Sequence, residues 1–183
     1  DTNVELVDCA RQLASIPLVH PPGAVFRYGG QHLYVAAAIA EVITGVPYAD
    51  LFRQRVGEPL GMDSTYFLQV GGDSYTDVTN TAPAGGAVSS LGDYGRFLEM
   101  IAHDGVMPDG TRLLSSATIT EMQTNQISDA RYGTAAPFRV ADEAPYGLGE
   151  WLDWTYPDGT ALVLSSDGTF GFRPWIDKQN DLF

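Results

Sequence analysis

Between Gly30 and Gly45 runs a segment, Gln31 to Thr44, that is apolar nearly all round: Leu33, Val35, Ala36, Ala37, Ala38, Ile39, Val42 and Ile43. The pattern predicts a helix, with Gly45 at the position where a left-handed cap residue ends it. A helix without a polar face must be covered from several sides. Val35, Ala38, Ile39 and Val42 are therefore expected in a core, and the rest of the chain has to provide their neighbours.

The elements around it read as helices first and strands last. Val4 to Ile16 is loosely helical and ends at Pro17. His20-Pro21-Pro22-Gly23 is an extended turn. Pro47 opens a helix through Phe52 and Val56 that Gly57 and Pro59 are expected to close. Gly71 to Val88, rich in Gly, Asp, Ser and Thr, reads as ordered loop. Ser90, three residues before Asp93, marks a helix start, with Tyr94, Phe97, Leu98 and Ile101 on one face up to Gly105. A further cap at Ser115 or Ser116 leads a helix to about Asn125. From Tyr146 the periodicity changes to short antiparallel strands, Tyr146–Trp154, Ala161–Asp167 and Phe170–Asp177, separated by turn sequences.

A chain of 183 residues with a 44% hydrophobic share can build a real core. Its net charge of −13 repels phosphate backbones and anionic membrane surfaces, so nucleic acid is excluded as a natural partner. Cys9 has no second cysteine to pair with and lies among Leu6, Val7 and Leu13, where a buried spectator is expected. No apolar run reaches the ~20 residues of a membrane span. The histidines His20, His32 and His103 lack metal-ligand spacing, and the acidic stretch Asp73 to Asp77 lacks a calcium-loop pattern.

The segment Pro22-Gly23-Ala24-Val25-Phe26-Arg27-Tyr28-Gly29-Gly30, followed by the apolar helix and by Glu58-Pro59-Leu60-Gly61-Met62, resembles the surroundings of the catalytic tyrosine in serine hydrolases of the β-lactamase and penicillin-binding-protein superfamily. The similarity is greatest to the class C-like branch, with its esterases and D-aminopeptidases. Those enzymes take their nucleophile from a Ser-x-x-Lys motif. This chain contains no such motif, because its single lysine, Lys178, has Trp175 three residues before it.

The resemblance implies a role for each matching position. Tyr28 stands where the family has its general base and acid; taken as a lone tyrosine before a glycine pair, it reads as a packing residue. Gly30 takes the place of the asparagine that would hold substrate. Ser166-Asp167-Gly168-Thr169 falls where the family has Lys-Thr-Gly or His-x-Gly. Ser166 replaces the cation there and Asp167 adds a negative charge, which disfavours a substrate carboxylate. Gly168 keeps its identity, and Thr169 would lend a backbone N–H to the oxyanion hole. Read without the resemblance, this stretch is a tight turn entering a strand. Ala84-Gly85-Gly86-Ala87-Val88-Ser89-Ser90 is similar to a Gly-Gly segment whose family role is architectural.

The implied fold is α+β, β-lactamase-like and incomplete: a mostly helical lobe over 1–145 and C-terminal antiparallel strands over 146–183. Those strands would leave an exposed edge and an uncovered apolar face, for which an N-terminal half or another chain would be the partner. The implied reaction is hydrolysis of a small-molecule ester, amide or β-lactam through a serine ester, without metal or organic cofactor, and the implied compartment is the periplasm or the cell exterior. Two alternatives stand beside it. One is a non-catalytic binding or scaffolding protein that keeps the fold. The other is that the 183 residues are part of a longer chain.

Overall fold

A computed structural model describes residues 5–72, 76, 78–127, 131–134, 145–168 and 171–183, with 131–134 as backbone. The chain divides into two compact units, Asp1–Val19 with Gly29–Tyr94, and His20–Tyr28 with Gly95–Phe183.

The first unit is mainly helical. Helix α1 (Leu6–Ala14) packs on α2 (Gln31–Thr44) through Leu6, Ala10, Ala37 and Ala38, with Val7, Tyr34, Val35 and Tyr48 around them. The predicted span of α2 holds, and Gly45 closes it at φ 68°, donating its N–H to Glu41 O at 2.7 Å. The expectation of burial on most faces does not hold. Tyr34, Val35, Ala37 and Ala38 face the core, whereas Ile39, Val42 and Ile43 are 54%, 68% and 78% exposed. Cys9 likewise is half-buried rather than buried, and free.

After α2 the chain turns into α3 (Tyr48–Phe52), whose first N–H is taken by Glu41 Oε1 at 2.7 Å. Burial pushes the Glu41 carboxyl up, opposed by that N–H, and raises the Tyr48 phenol as well. The expected stop at Gly57 and Pro59 is a correction. A π-helical turn, Arg53–Gly57, leads straight into α4 (Glu58–Leu60), and the end comes at Gly61. Pro59 is accommodated within this run, in the first turn of α4 and directly after the π-helical turn. Strands β2 (Tyr66–Phe67) and β3 (Ala87–Val88) pair antiparallel, so the expected loop from Gly71 ends in a strand. Phe67 meets Tyr48 and Phe52 edge-on at 5.5 and 5.1 Å. Helix α5 (Leu91–Ala102) starts at the expected cap, with the Asp93 N–H donating to Ser90 Oγ at 3.1 Å. The buried Asp93 carboxylate accepts from Ser64 N–H and Thr65 Oγ1, at 2.8 and 2.9 Å, and so ties the start of α5 to the turn before β2.

The second unit takes in the rest of α5, then α6 (Ser116–Met122), capped by Ser115 Oγ on Thr118 N–H at 3.0 Å. Its main sheet is antiparallel, in the order β5 (Trp151–Thr155), β6 (Ala161–Ser165), β7 (Trp175–Asp177). Trp151, Leu152, Ala161, Leu164 and Ile176 are its buried residues. Among the described residues no further strand pairs with β5 or β7, which carry only the Tyr146–Trp151 and Asp177–Leu182 bridges on their outer sides, and Trp154 and Trp175 are exposed. A parallel pair, β1 (Val25–Arg27) with β4 (Arg131–Thr134), breaks the expected order of helices first and strands last. No single helix among the described residues is long and apolar enough to cross a membrane.

Candidate functional site

Tyr28 follows β1 directly, and the strand's alternation puts it on the same side as Phe26. Both rings belong to a cluster in the second unit. Tyr28 stacks on Trp151, with centroids 5.4 Å apart and planes at 24°, and meets Tyr146 edge-on at 5.9 Å and 88°. Phe26 lies 5.6 Å from Tyr146 and 6.3 Å from Trp151, the latter at 90°. Tyr146 and Trp151 touch each other at 4.7 Å. Trp151 is 3% exposed, while Tyr28 and Tyr146 are half-buried.

A tight hairpin brings Tyr146 and Trp151 together. The two residues form an antiparallel bridge, and the Gly147 N–H donates to Glu150 O at 2.9 Å. Gly149, at φ 100°, supplies the left-handed residue the turn needs. The end of α6 anchors the hairpin: Leu148 N–H donates to Met122 O, and Gln126 N–H to Tyr146 O, both at 2.8 Å.

Ser166 and Gly168 lie beyond β6. Trp151 is the register partner of Ser165, and Ser166 Oγ donates to Gly149 O at 3.3 Å. The Ser166 end of β6 therefore abuts the hairpin that carries the ring under Tyr28. Gly168 donates its N–H to Phe172 O at 2.7 Å and accepts from Gly171 N–H at 3.1 Å, so the Gly168 N–H is already taken. Thr169 lies outside the described residues. Asp167 has a cation facing it, Arg173 Nε at 3.7 Å, so the negative charge expected there is partly offset.

Gly30 belongs to the first unit, where it is packed closely. A Cβ added to it would lie 2.5 Å from the Ala84 Cβ, so the Ala84-Gly85-Gly86 segment occupies the space an asparagine would need.

Glu150, in the same hairpin, had no sequence signal beyond its place in Tyr146-Gly147-Leu148-Gly149-Glu150-Trp151. Burial pushes its carboxyl up to about 7, with Lys178 pulling the other way. The Tyr146 phenol is pushed up to about 12, first by burial and then by the charges of Tyr28 and Glu150. Lys178 donates to Gln123 Oε1 at 2.8 Å and to Asp104 Oδ1 at 3.0 Å. The cluster therefore combines phenols with a carboxyl that exchanges its proton near neutral pH, a setting suited to acid–base chemistry. Of the residues named from sequence, Tyr28 lies in this ring cluster and Ser166 bonds to its hairpin, whereas Tyr146, Glu150 and Trp151 were passed over as strand residues.

Helices combined with an open antiparallel sheet, and a tyrosine segment lying against that sheet, are features of the β-lactamase and penicillin-binding-protein class of serine hydrolases. The Beta-lactamase family profile matches residues 2–182, and the chain belongs to that family. A provisionally named beta-lactamase from Bacteroides dorei DSM 17855 superposes with a TM-score of 0.81 at 32% identity, over 99% of this chain and 55% of that one. Protein Rv1367c of Mycobacterium tuberculosis is 29% identical over 89% of this chain and 46% of its own length. Penicillin-binding protein 4 of Amycolatopsis lactamdurans is 30% identical over 56% of this chain and 32% of its own. The chain thus spans about half the length, or less, of these relatives.

Proposed function

We propose that this chain supplies the acid–base tyrosine and the sheet-side wall of a serine-type acyl-transfer site, in which Tyr28 moves the proton of a nucleophilic serine. The observation that carries this reading is the convergence of two distant segments. Tyr28 rests on Trp151, and Trp151 pairs with the strand that leads into Ser166. The shared family and the Pro-Gly lead before Tyr28 support the same assignment.

The serine and its lysine come, in this reading, from residues outside these 183, since the chain has no Ser-x-x-Lys. An ester fits better than a β-lactam: Gly30 provides no carboxamide, and Ser166 no cation for a substrate carboxylate. Thr169, through its backbone N–H, is assigned to the oxyanion side, and Gly168 to the substrate-binding stretch before it. The chain by itself should then hydrolyse neither a chromogenic ester nor a β-lactam above the buffer rate. Turnover by the purified chain that disappeared in Tyr28→Phe would defeat the claim that the nucleophile lies elsewhere. The lack of Ser-x-x-Lys also favours a second reading, a non-catalytic binding protein on the same fold. That reading requires a longer protein containing this chain to be inactive as well.

A further inference from the structure

Tyr28 stands one residue beyond the three-residue strand β1, whose alternation sets the side it lies on. The rings against it are themselves held in place. Trp151 is fully packed, and the Tyr146–Trp151 bridge is fixed to the end of α6 through Met122 and Gln126. One flat face of the phenol is covered by the indole at 24°, and the Tyr146 ring meets it at 88°. A stacked ring and an edge-on ring together restrict both tilt and rotation, and the stacked one keeps water off one face.

We propose that Trp151 and Tyr146 are positioning residues for Tyr28, holding its ring in one orientation and setting how readily its hydroxyl releases a proton. They act through Tyr28 and not on substrate. The groups around them are compatible with this role. Tyr146 titrates only near 12, so it stands beside Tyr28 as an uncharged phenol at neutral pH. Glu150 is the carboxyl whose charge acts on Tyr146, and Lys178 is the cation whose charge acts on Glu150. The proposal rests on the reading of Tyr28 as the acid–base tyrosine.

The test needs no turnover. The chain is labelled with tyrosine carrying carbon-13 at the ring carbon bonded to oxygen, and each resonance is followed against pH. The nine tyrosines are separated by assigning Tyr28 through its loss in Tyr28→Phe. Trp151→Leu should move the Tyr28 midpoint by at least about half a pH unit, roughly threefold in its ionisation constant. Trp151→Phe and Tyr146→Phe, which keep a flat ring, should stay near the wild-type midpoint, and Tyr146→Leu, which removes the edge-on ring, should move it. Cooperative melting of each variant shows that the fold is intact, and Tyr146→Leu, at a half-buried position, is the measurement to rely on if Trp151→Leu unfolds. A Tyr28 midpoint that stays fixed in the folded variants overturns the positioning role. Failure of the catalytic reading would show elsewhere, as Tyr28-independent turnover in an active longer protein, and would leave this titration as it is.

Discussion

Tyr28 lies with its ring stacked on Trp151, centroids 5.4 Å apart, so the segment that the Pro-Gly lead delivers is seated on the first residue of the C-terminal sheet. Trp151 thus belongs to the buried core of the sheet and to the ring cluster around Tyr28 at once. Replacing it with alanine should cost about 3–5 kcal/mol, the range for emptying a buried tryptophan position. Trp154→Ala, at a residue 70% exposed, should change stability by about 0.5 kcal/mol or less. Urea unfolding of both variants checks this, and equal losses would mean that β5 buries a different face.

Glu150 gives the chain a pH dependence whose sign is fixed. Its folded value, about 7, lies above the ordinary 4.5, so the native state holds the proton more tightly than the unfolded chain. The resulting stabilisation is complete below about pH 4.5 and is lost as pH rises through 7. Glu150→Gln should therefore gain on the wild type across that window, by no more than about 3 kcal/mol. Unfolding free energies of the two proteins from pH 5 to 8 provide the check. A constant difference between them would remove Glu150 from the buried cluster.

Gly30 is held to glycine by Ala84 rather than by its backbone, which is near φ −96° and ψ −10° and open to other residues. Gly30→Asn should destabilise the chain by about 1–3 kcal/mol through overpacking. Adding Ala84→Gly should recover a large part of that loss, giving a clear coupling in a double-mutant cycle. Additive effects would mean that the two backbones do not approach as described.

Much of the fold was legible wherever a local signal specified it. The span of α2 and its Gly45 cap, the Ser90 and Ser115 caps, and the two strands β5 and β6 follow from period, cap residues and turn chemistry. What stayed hidden depended on partners. Nothing in Val25-Phe26-Arg27 shows that it pairs with residues 131–134, since a three-residue strand has no period and its partner lies in the other half of the sequence. The hairpin Tyr146–Trp151 read as plain strand because the ring contacts that give it a role are with Tyr28, remote in sequence. Pattern alone also overstated burial of α2, since an apolar residue states a preference and not the presence of a neighbour.

That difference can be measured in α2 itself. Ala38, 4% exposed, and Ile39, 54% exposed, are adjacent residues with opposite surroundings. Ala38→Asp should cost several kcal/mol, on the order of 3, by placing an unpaired carboxylate in the core. Ile39→Asp in the same chain should cost less than about 1 kcal/mol. Thermal melting of the pair decides it, and a large loss at Ile39 would restore the expectation of an all-round buried helix.

The most direct test of the proposed acyl-transfer role is the rate of ester hydrolysis when this chain is joined to the part of the Bacteroides dorei relative that it does not cover, the chain matching 55% of that protein. The account predicts turnover that falls about 10²–10⁴-fold in Tyr28→Phe, the range for loss of a positioned acid–base group. A folded fusion whose turnover was unchanged by Tyr28→Phe would contradict it.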